Sequence, residues 1–175
     1  MPLSPTDQKF VLHWGEMGTR WGINRTVAQI HALLFLSPEP LNAEQIAETL
    51  NVARSNVSTS IRELESWGIV RPVHVLGDRR EHYESLKDVS EMFVRIMEHR
   101  KRRELDPTLQ LLRRCLTQLD QEPPDAYTKE RLEEITQFFE ASSEAYEQLH
   151  QLSPETWHGL LKARGKLKKL AAVLR

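Results

Sequence analysis

Apolar residues recur along this chain with two different periods, and the changes of period mark its elements. Phe10, Val11, Trp14 and Met17 are spaced as one face of a helix that starts at Ser4-Pro5-Thr6-Asp7 and stops at Gly18. A second helix runs from about Arg25 to Leu36 with Val27, Ile30, Leu33, Leu34 and Phe35 apolar. It ends at Ser37-Pro38-Glu39-Pro40, because a residue before proline is pushed out of helical backbone. A third, short helix follows Leu41. Asn42 stands at its N-cap, Gln45 completes a capping box, and Ile46, Ala47 and Leu50 form its apolar face. Asn51-Val52 ends it, and a fourth helix from Ala53 or Arg54 reaches Trp67, with Gly68 where a left-handed residue is wanted. The period then shortens to that of a strand. Val70, Val73 and Val75, the turn Gly77-Asp78-Arg79-Arg80 and the return His82 to Ser85 read as one β-hairpin with a basic tip.

Beyond residue 86 glycine nearly disappears and three–four spacing takes over. Asp88 to Leu105 carries Val89, Met92, Phe93, Ile96 and Met97; Asp106-Pro107 restarts a helix with Leu109, Leu112, Leu116 and Leu119, which Pro123-Pro124 ends. From Ala126 the series is Leu132, Ile135, Phe139, Ser142, Tyr146 and Leu149. Ser153-Pro154-Glu155 then caps a last helix bearing Trp157, Leu160, Leu161, Leu167, Leu170 and Leu174. Such spacing belongs to helices that pack in bundles or coiled coils, within one chain or between two. The expected fold is therefore mainly α with a small β-hairpin: residues 1–87 as one domain and 88–175 as a helical region.

Composition narrows the classes of function. With 39% hydrophobic and 28% charged residues, the chain is too apolar for disorder. Its longest apolar run, Ala32 to Leu36, is far short of the roughly 20 residues of a membrane span, and no charged-then-apolar leader precedes residue 30. The single cysteine, Cys115, cannot form an internal disulfide. A soluble cytoplasmic protein is expected. The 24 basic and 25 acidic residues nearly cancel, so any nucleic-acid binding must come from a local patch.

Helix, short helix, turn, helix, hairpin is the order of a winged helix-turn-helix, and its fourth helix supplies such a patch. Val57, Ile61 and Leu64 fall on one face. Arg54, Ser55, Asn56, Ser58, Thr59 and Arg62 fall on the other: short hydrogen-bonding side chains and two arginines, suited to base edges and phosphates in a major groove. No acid appears before Glu63, and a helix N-terminus itself favours phosphate. Residues 51–80 hold five arginines against three acids. Arg79 and Arg80 at the hairpin tip can reach a minor groove or the backbone. Two plainer readings stay open: serine and threonine at a helix start can serve only as caps, and winged helices also bind proteins.

The stretch from Trp21-Gly22-Ile23-Asn24-Arg25 through HALLFLSPEPLNAEQIAETLNVARSNVSTSIRELESWGIVR to GDRREHYES resembles the GbsR branch of the MarR-type bacterial transcriptional regulators. The likeness spans about residues 10–90. It implies a homodimeric repressor or activator bound to double-stranded DNA at a pseudo-palindromic site, with 1–87 as DNA-binding domain and 88–175 as dimerisation region. By position it nominates Arg54, Ser55, Asn56, Ser58, Thr59 and Arg62 for the major groove and Arg79 and Arg80 for the wing. One departure is Ala53, where the family pattern more often has a capping serine; the cap then shifts to Ser55 or is missing. The likeness also implies sensing of a small-molecule effector, osmoprotectant-related solutes in some members.

Other chemistry is sparse. The seven histidines lack the spacing of a metal site, and Cys115 sits among leucines as a small hydrophobe. There is no glycine-rich phosphate loop and no G-x-S-x-G, so neither catalysis nor a cofactor is expected. Phe10, Trp14, Trp21 and Tyr146 are either core or an aromatic box for a cationic solute. The basic runs at 99–103 and 162–169 read as solvated helix faces or flanking DNA contacts.

Overall fold

A computed structural model describes residues 3–119 and 126–150. The chain forms two compact units, Met1–Arg95 and Ile96–Arg175.

The first unit begins with α1 (Pro5–Arg20) and α2 (Arg25–Leu36). Ser4 and Asp7 close a reciprocal capping box on α1, and Asn24 Oδ1 caps α2 by accepting from the Thr26 amide at 2.8 Å. The two helices lie close because α1 presents Gly15 and Gly18 to α2: a Cβ at Gly18 would come within 2.5 Å of the Ala28 Cβ. The last carbonyls of α2 have a partner from far along the chain. Lys87 Nζ donates to the carbonyl oxygens of Leu34 at 2.8 Å, Phe35 at 2.9 Å and Ser37 at 2.7 Å, offsetting the negative end of the helix dipole.

Next come β1 (Leu41–Asn42), α3 (Ala43–Leu50), α4 (Arg54–Ser66), β2 (Val70–Val73) and β3 (His82–Ser85). The hairpin expected from sequence is in fact a three-stranded antiparallel sheet of order β1-β3-β2, with Leu41 opposite Tyr83 and Val70 opposite Ser85. A two-residue strand has no period to detect, and Asn42 belongs at once to β1 and to the cap of α3. Its Oδ1 accepts from the Glu44 and Gln45 amides, while Gln45 Oε1 accepts from the Asn42 amide. The hairpin strand is also shorter than the valines suggest: β2 stops at Val73. Pro72 sits on this edge strand, where a missing N–H breaks no ladder. Asn51 in left-handed backbone (φ 52°) ends α3, and Gly68 (φ 71°) turns the chain out of α4. The core gathers Ile30, Leu34, Ile46, Val57, Ile61, Leu64 and Ile69, all nearly inaccessible to solvent.

The helix α5 (Val89–Arg100) begins in the first unit, where Met92 is buried. The second unit continues with a π turn (Lys101–Leu105), α6 (Asp106–Leu119) and α7 (Ala126–His150). The restart expected at Asp106-Pro107 does not occur; the backbone stays helical through Arg100 and Asp106. Proline lacks the N–H for a bond to residue 103 and its ring crowds that carbonyl, and a wider π turn just before it relieves both. Leu109 and Leu112 are buried, and Arg113 on α6 pairs with Glu140 on α7, Nη2 to Oε1 at 2.7 Å. The helix end expected at Pro123-Pro124 and the last helix expected after Ser153 lie outside the described residues.

Candidate nucleic-acid interface

The apolar face of α4 is buried as its spacing requires: Val57, Ile61 and Leu64 are 0–1% exposed, and Ser60 joins them. That burial turns Arg54, Ser55, Asn56, Ser58, Thr59 and Arg62 outward, and all six are exposed. Arg79 and Arg80 are exposed as well, in the loop between β2 and β3. Ser55, Asn56 and Thr59 make no side-chain hydrogen bond within the described residues. Ser58 Oγ donates to the Arg54 carbonyl at 3.1 Å, and Arg62 Nε donates to the Ser58 carbonyl at 3.2 Å, which leaves the outer guanidinium nitrogens of Arg62 open. Ala53 provides no side-chain cap to α4 and the first turn holds no acid. The positive end of this helix therefore faces solvent uncapped.

Three of the nearby arginines are already ion-paired. Arg54 Nη1 lies 3.1 Å from Glu44 Oε1, and Arg80 Nη1 lies 2.9 Å from the other oxygen of the same carboxylate. Arg80 Nε also donates to both oxygens of Asp78, at 2.9 and 3.0 Å. These bonds hold the Asp78 carboxyl well below the usual carboxylate range and push the Arg80 guanidinium above its own. Arg71 Nε donates to Glu84 Oε1 at 2.7 Å, across the β2–β3 register. Arg79 alone of the wing pair makes no hydrogen bond or ion pair to a described residue. Behind the wing, His82 is buried with Nδ1 3.0 Å from the Arg80 carbonyl and Nε2 3.6 Å from Asp78 Oδ2. On β3, burial and a 2.9 Å hydrogen bond to Glu81 push the Tyr83 hydroxyl up to about 12.

The structure brings all eight nominated residues onto the outside of two elements, and Glu44 ties those elements together. The reading from sequence missed Glu44 because it counted charge only over 51–80, while the residue stands in the first turn of α3. A second residue it missed is Leu76, wholly exposed beside Gly77 at the wing tip. Its flanking valine could not signal this, since apolar residues next to a turn usually belong to a strand.

The aromatic candidates divide. Phe10 and Trp14 stack at 5.3 Å in the first unit, with His31 6.4 Å from both Trp14 and Phe35; Trp21 is exposed, and Tyr146 belongs to the second unit. The cavity lined by Phe10, Trp14, His31, Phe35 and Met92 is about 30 Å³, room for a water and not for a solute. His31 Nε2 has no hydrogen-bond partner among the described residues, and burial, with the nearby Lys87 charge, pushes the ring down to about 4. A larger open cavity of about 520 Å³ lies in the second unit beside the π turn, lined by Met97, Lys101, Leu105, Phe139 and Tyr146 among others. Lys101 there is held by Asp106 at 2.9 Å and Glu147 at 3.2 Å. Among the described residues no group of three or more His, Cys, Asp and Glu is placed to hold a metal, and no helix is long and apolar enough to cross a membrane.

Residues 21–81 match the model of the MarR family, 61 of the 175 residues. None of the curated proteins matches the chain. A solved structure of a transcriptional regulator superposes with a TM-score of 0.67 at 22% identity, over 83% of this chain and 96% of that one. At that identity the match speaks for the fold alone, a winged helix that is mostly helical with a small antiparallel sheet. A looser superposition is found with a point mutant of MepR from S. aureus bound to an oligodeoxyribonucleotide (TM-score 0.39, 14% identity, 97% of this chain and 93% of that one). The regulator Tm0710 from Thermotoga maritima fits similarly (TM-score 0.39, 16% identity, 82% and 90%).

Proposed function

We propose that this chain is a sequence-specific DNA-binding transcriptional regulator of the bacterial cytoplasm that works as a homodimer. In this reading α4 enters a major groove with Arg54, Ser55, Asn56, Ser58, Thr59 and Arg62, while Arg79 and Arg80 meet the minor groove or the backbone. Residues 1–87 are its DNA-binding domain and 88–175 its dimerisation region. The observation that carries the proposal is the joint exposure of the eight side chains on α4 and the wing, with both elements fastened to one carboxylate. The uncapped N-terminus of α4 adds a seat for a phosphate. The family match over 21–81 covers both elements. A second copy is the partner that the second unit suits, since Ile135 is 44% and Phe138 69% exposed on α7. A small-solute effector belongs to the same reading, and the cavity of about 520 Å³ has the volume of a ligand pocket. The reading assigns the protein no catalytic step.

One observation favours a different reading, a winged-helix module that binds proteins: Arg54, Arg71 and Arg80 are each neutralised by an acid. Selection of bound fragments from genomic DNA by the purified protein separates the two. The regulator should enrich one site and bind it with a Kd of about 10⁻⁸ M or tighter. Arg54→Ala should relax base preference at one position of each half-site; Arg79→Ala with Arg80→Ala should weaken binding to all sequences and flatten its salt dependence. Variants that bind like the wild type, or a selection without enrichment, would overturn the assignment.

A further inference from the structure

We infer that Glu44 is a positioning residue that locks the wing to the recognition helix and sets how strictly the protein discriminates between DNA sequences. The inference rests on the DNA-binding reading for its consequence, though not for the lock itself.

Each oxygen of the Glu44 carboxylate engages a different element. Oε1 accepts from Arg54 at the start of α4, and Oε2 accepts from Arg80 in the wing, 36 residues away in sequence. Arg80 is gripped on its other edge by Asp78, so its guanidinium plane is fixed from two sides and by two elements. Of the five N–H bonds of this arginine, Asp78 takes those at Nε and one at Nη2 and Glu44 takes one at Nη1, which leaves one donor on each outer nitrogen while removing the freedom to swing. Arg80 thereby becomes a directional probe.

The charges of the cluster decide what such a probe can do. Arg54 and Arg80 carry two positive charges; Glu44 and Asp78 cancel them. A neutral cluster adds almost nothing to the attraction for any polyanion, so the affinity of this surface for arbitrary DNA falls to Arg62 and Arg79. Glu44 itself repels phosphate. A carboxylate at this point weakens non-specific binding while holding two arginines in the one register that a correct site can satisfy, and both effects widen the gap between right and wrong sequences. Glu44 is half-buried in the first turn of α3, with 43% of its side chain open to solvent, so replacing it opens no cavity in the core.

The test uses the full chain and the variants Glu44→Gln and Glu44→Asp, read by hydrogen–deuterium exchange and by DNA titration. In Glu44→Gln the amides of residues 76–81 should exchange several-fold faster than in wild type, with α1 and α2 unchanged. Affinity for random duplex should rise about threefold, because the cluster gains one net positive charge. The slope of log K against log salt should steepen by about 0.9. Affinity for the selected site should fall, so that the specificity ratio drops about tenfold. Glu44→Asp, which restores the charge one methylene shorter, should return random-duplex affinity and slope to wild type while recovering the ratio only in part. Wing exchange that is the same in Glu44→Gln and wild type would overturn the lock. Faster exchange with an unchanged specificity ratio would overturn its role in discrimination. Should the wild type retain no duplex at all, the DNA-binding reading would fall, while the exchange comparison would still decide the lock.

Discussion

A methyl group at Gly18 would lie 2.5 Å from the Ala28 Cβ, closer than two carbons can sit, and Gly15 faces Gln29 at 2.6 Å in the same way. The approach of α1 to α2 is thus set by the absence of two side chains. Gly18→Ala gains about 0.5–1 kcal/mol of helix preference but must force the helices apart, which costs about 1–3 kcal/mol. A net loss of about 1–2 kcal/mol is expected, read as a lower urea midpoint at unchanged slope. His31 makes the residue scale sensitive to pH. Its ring is pushed from the ordinary 6.5 to about 4 by burial first and by Lys87 second. Below pH 6.5 the unfolded chain takes up a proton that the folded chain refuses until about pH 4. Stability is therefore full above 6.5 and drains away between those values, by up to about 3 kcal/mol. Urea unfolding at pH 7 and pH 4.5 should show the fall, and His31→Phe should remove most of it. The carboxyl of Asp78 adds nothing in that window, because its loss of stabilising charge comes only at lower pH.

Among the elements, those bounded by local chemistry were readable in advance. Ser4 and Asp7, Asn42 and Gln45, and Gly68 mark helix ends with side chains or backbone freedom that act within a few residues, and each stands where such chemistry places it. The helix α4 is the counterexample that makes a prediction. Ala53 leaves its first amides without a side-chain acceptor, so Ala53→Ser should stabilise the protein by about 1 kcal/mol, measured by thermal or urea unfolding. Two elements escaped the sequence for opposite reasons. The strand β1 is too short to have a pattern, and exists because β3 offers it an edge. The π turn hides behind Pro107: proline usually ends a helix, and here the backbone widens ahead of it and continues.

On the scale of the whole molecule, formal charge proved a poor guide to effective charge. Five arginines against three acids over 51–80 suggest a basic surface, yet Arg54, Arg71 and Arg80 are matched by Glu44, Glu84 and Asp78. Arg62 and Arg79 keep their charge for a partner. The exposed apolar residues of the second unit make the corresponding claim about assembly. With a second copy as their partner, Phe138→Glu should shift the sedimenting species from dimer to monomer, and because the side chain is 69% exposed the fold should survive. A sedimenting species that the substitution leaves unchanged would remove α7 from the proposed homodimer interface.

What the sequence determined by itself was governed by short range: the helix ends that carry local caps, which face of α4 turns inward, and which eight side chains are left outside. Apolar periodicity and caps act over one to four residues, and burying Val57, Ile61 and Leu64 dictates the direction of every other residue on that helix. Only the tertiary structure decided which of those cations are free. An ion pair between Glu44 and Arg80 joins positions far apart in sequence, and it forms because α3, α4 and the sheet bring the β2–β3 loop back beside the start of α3.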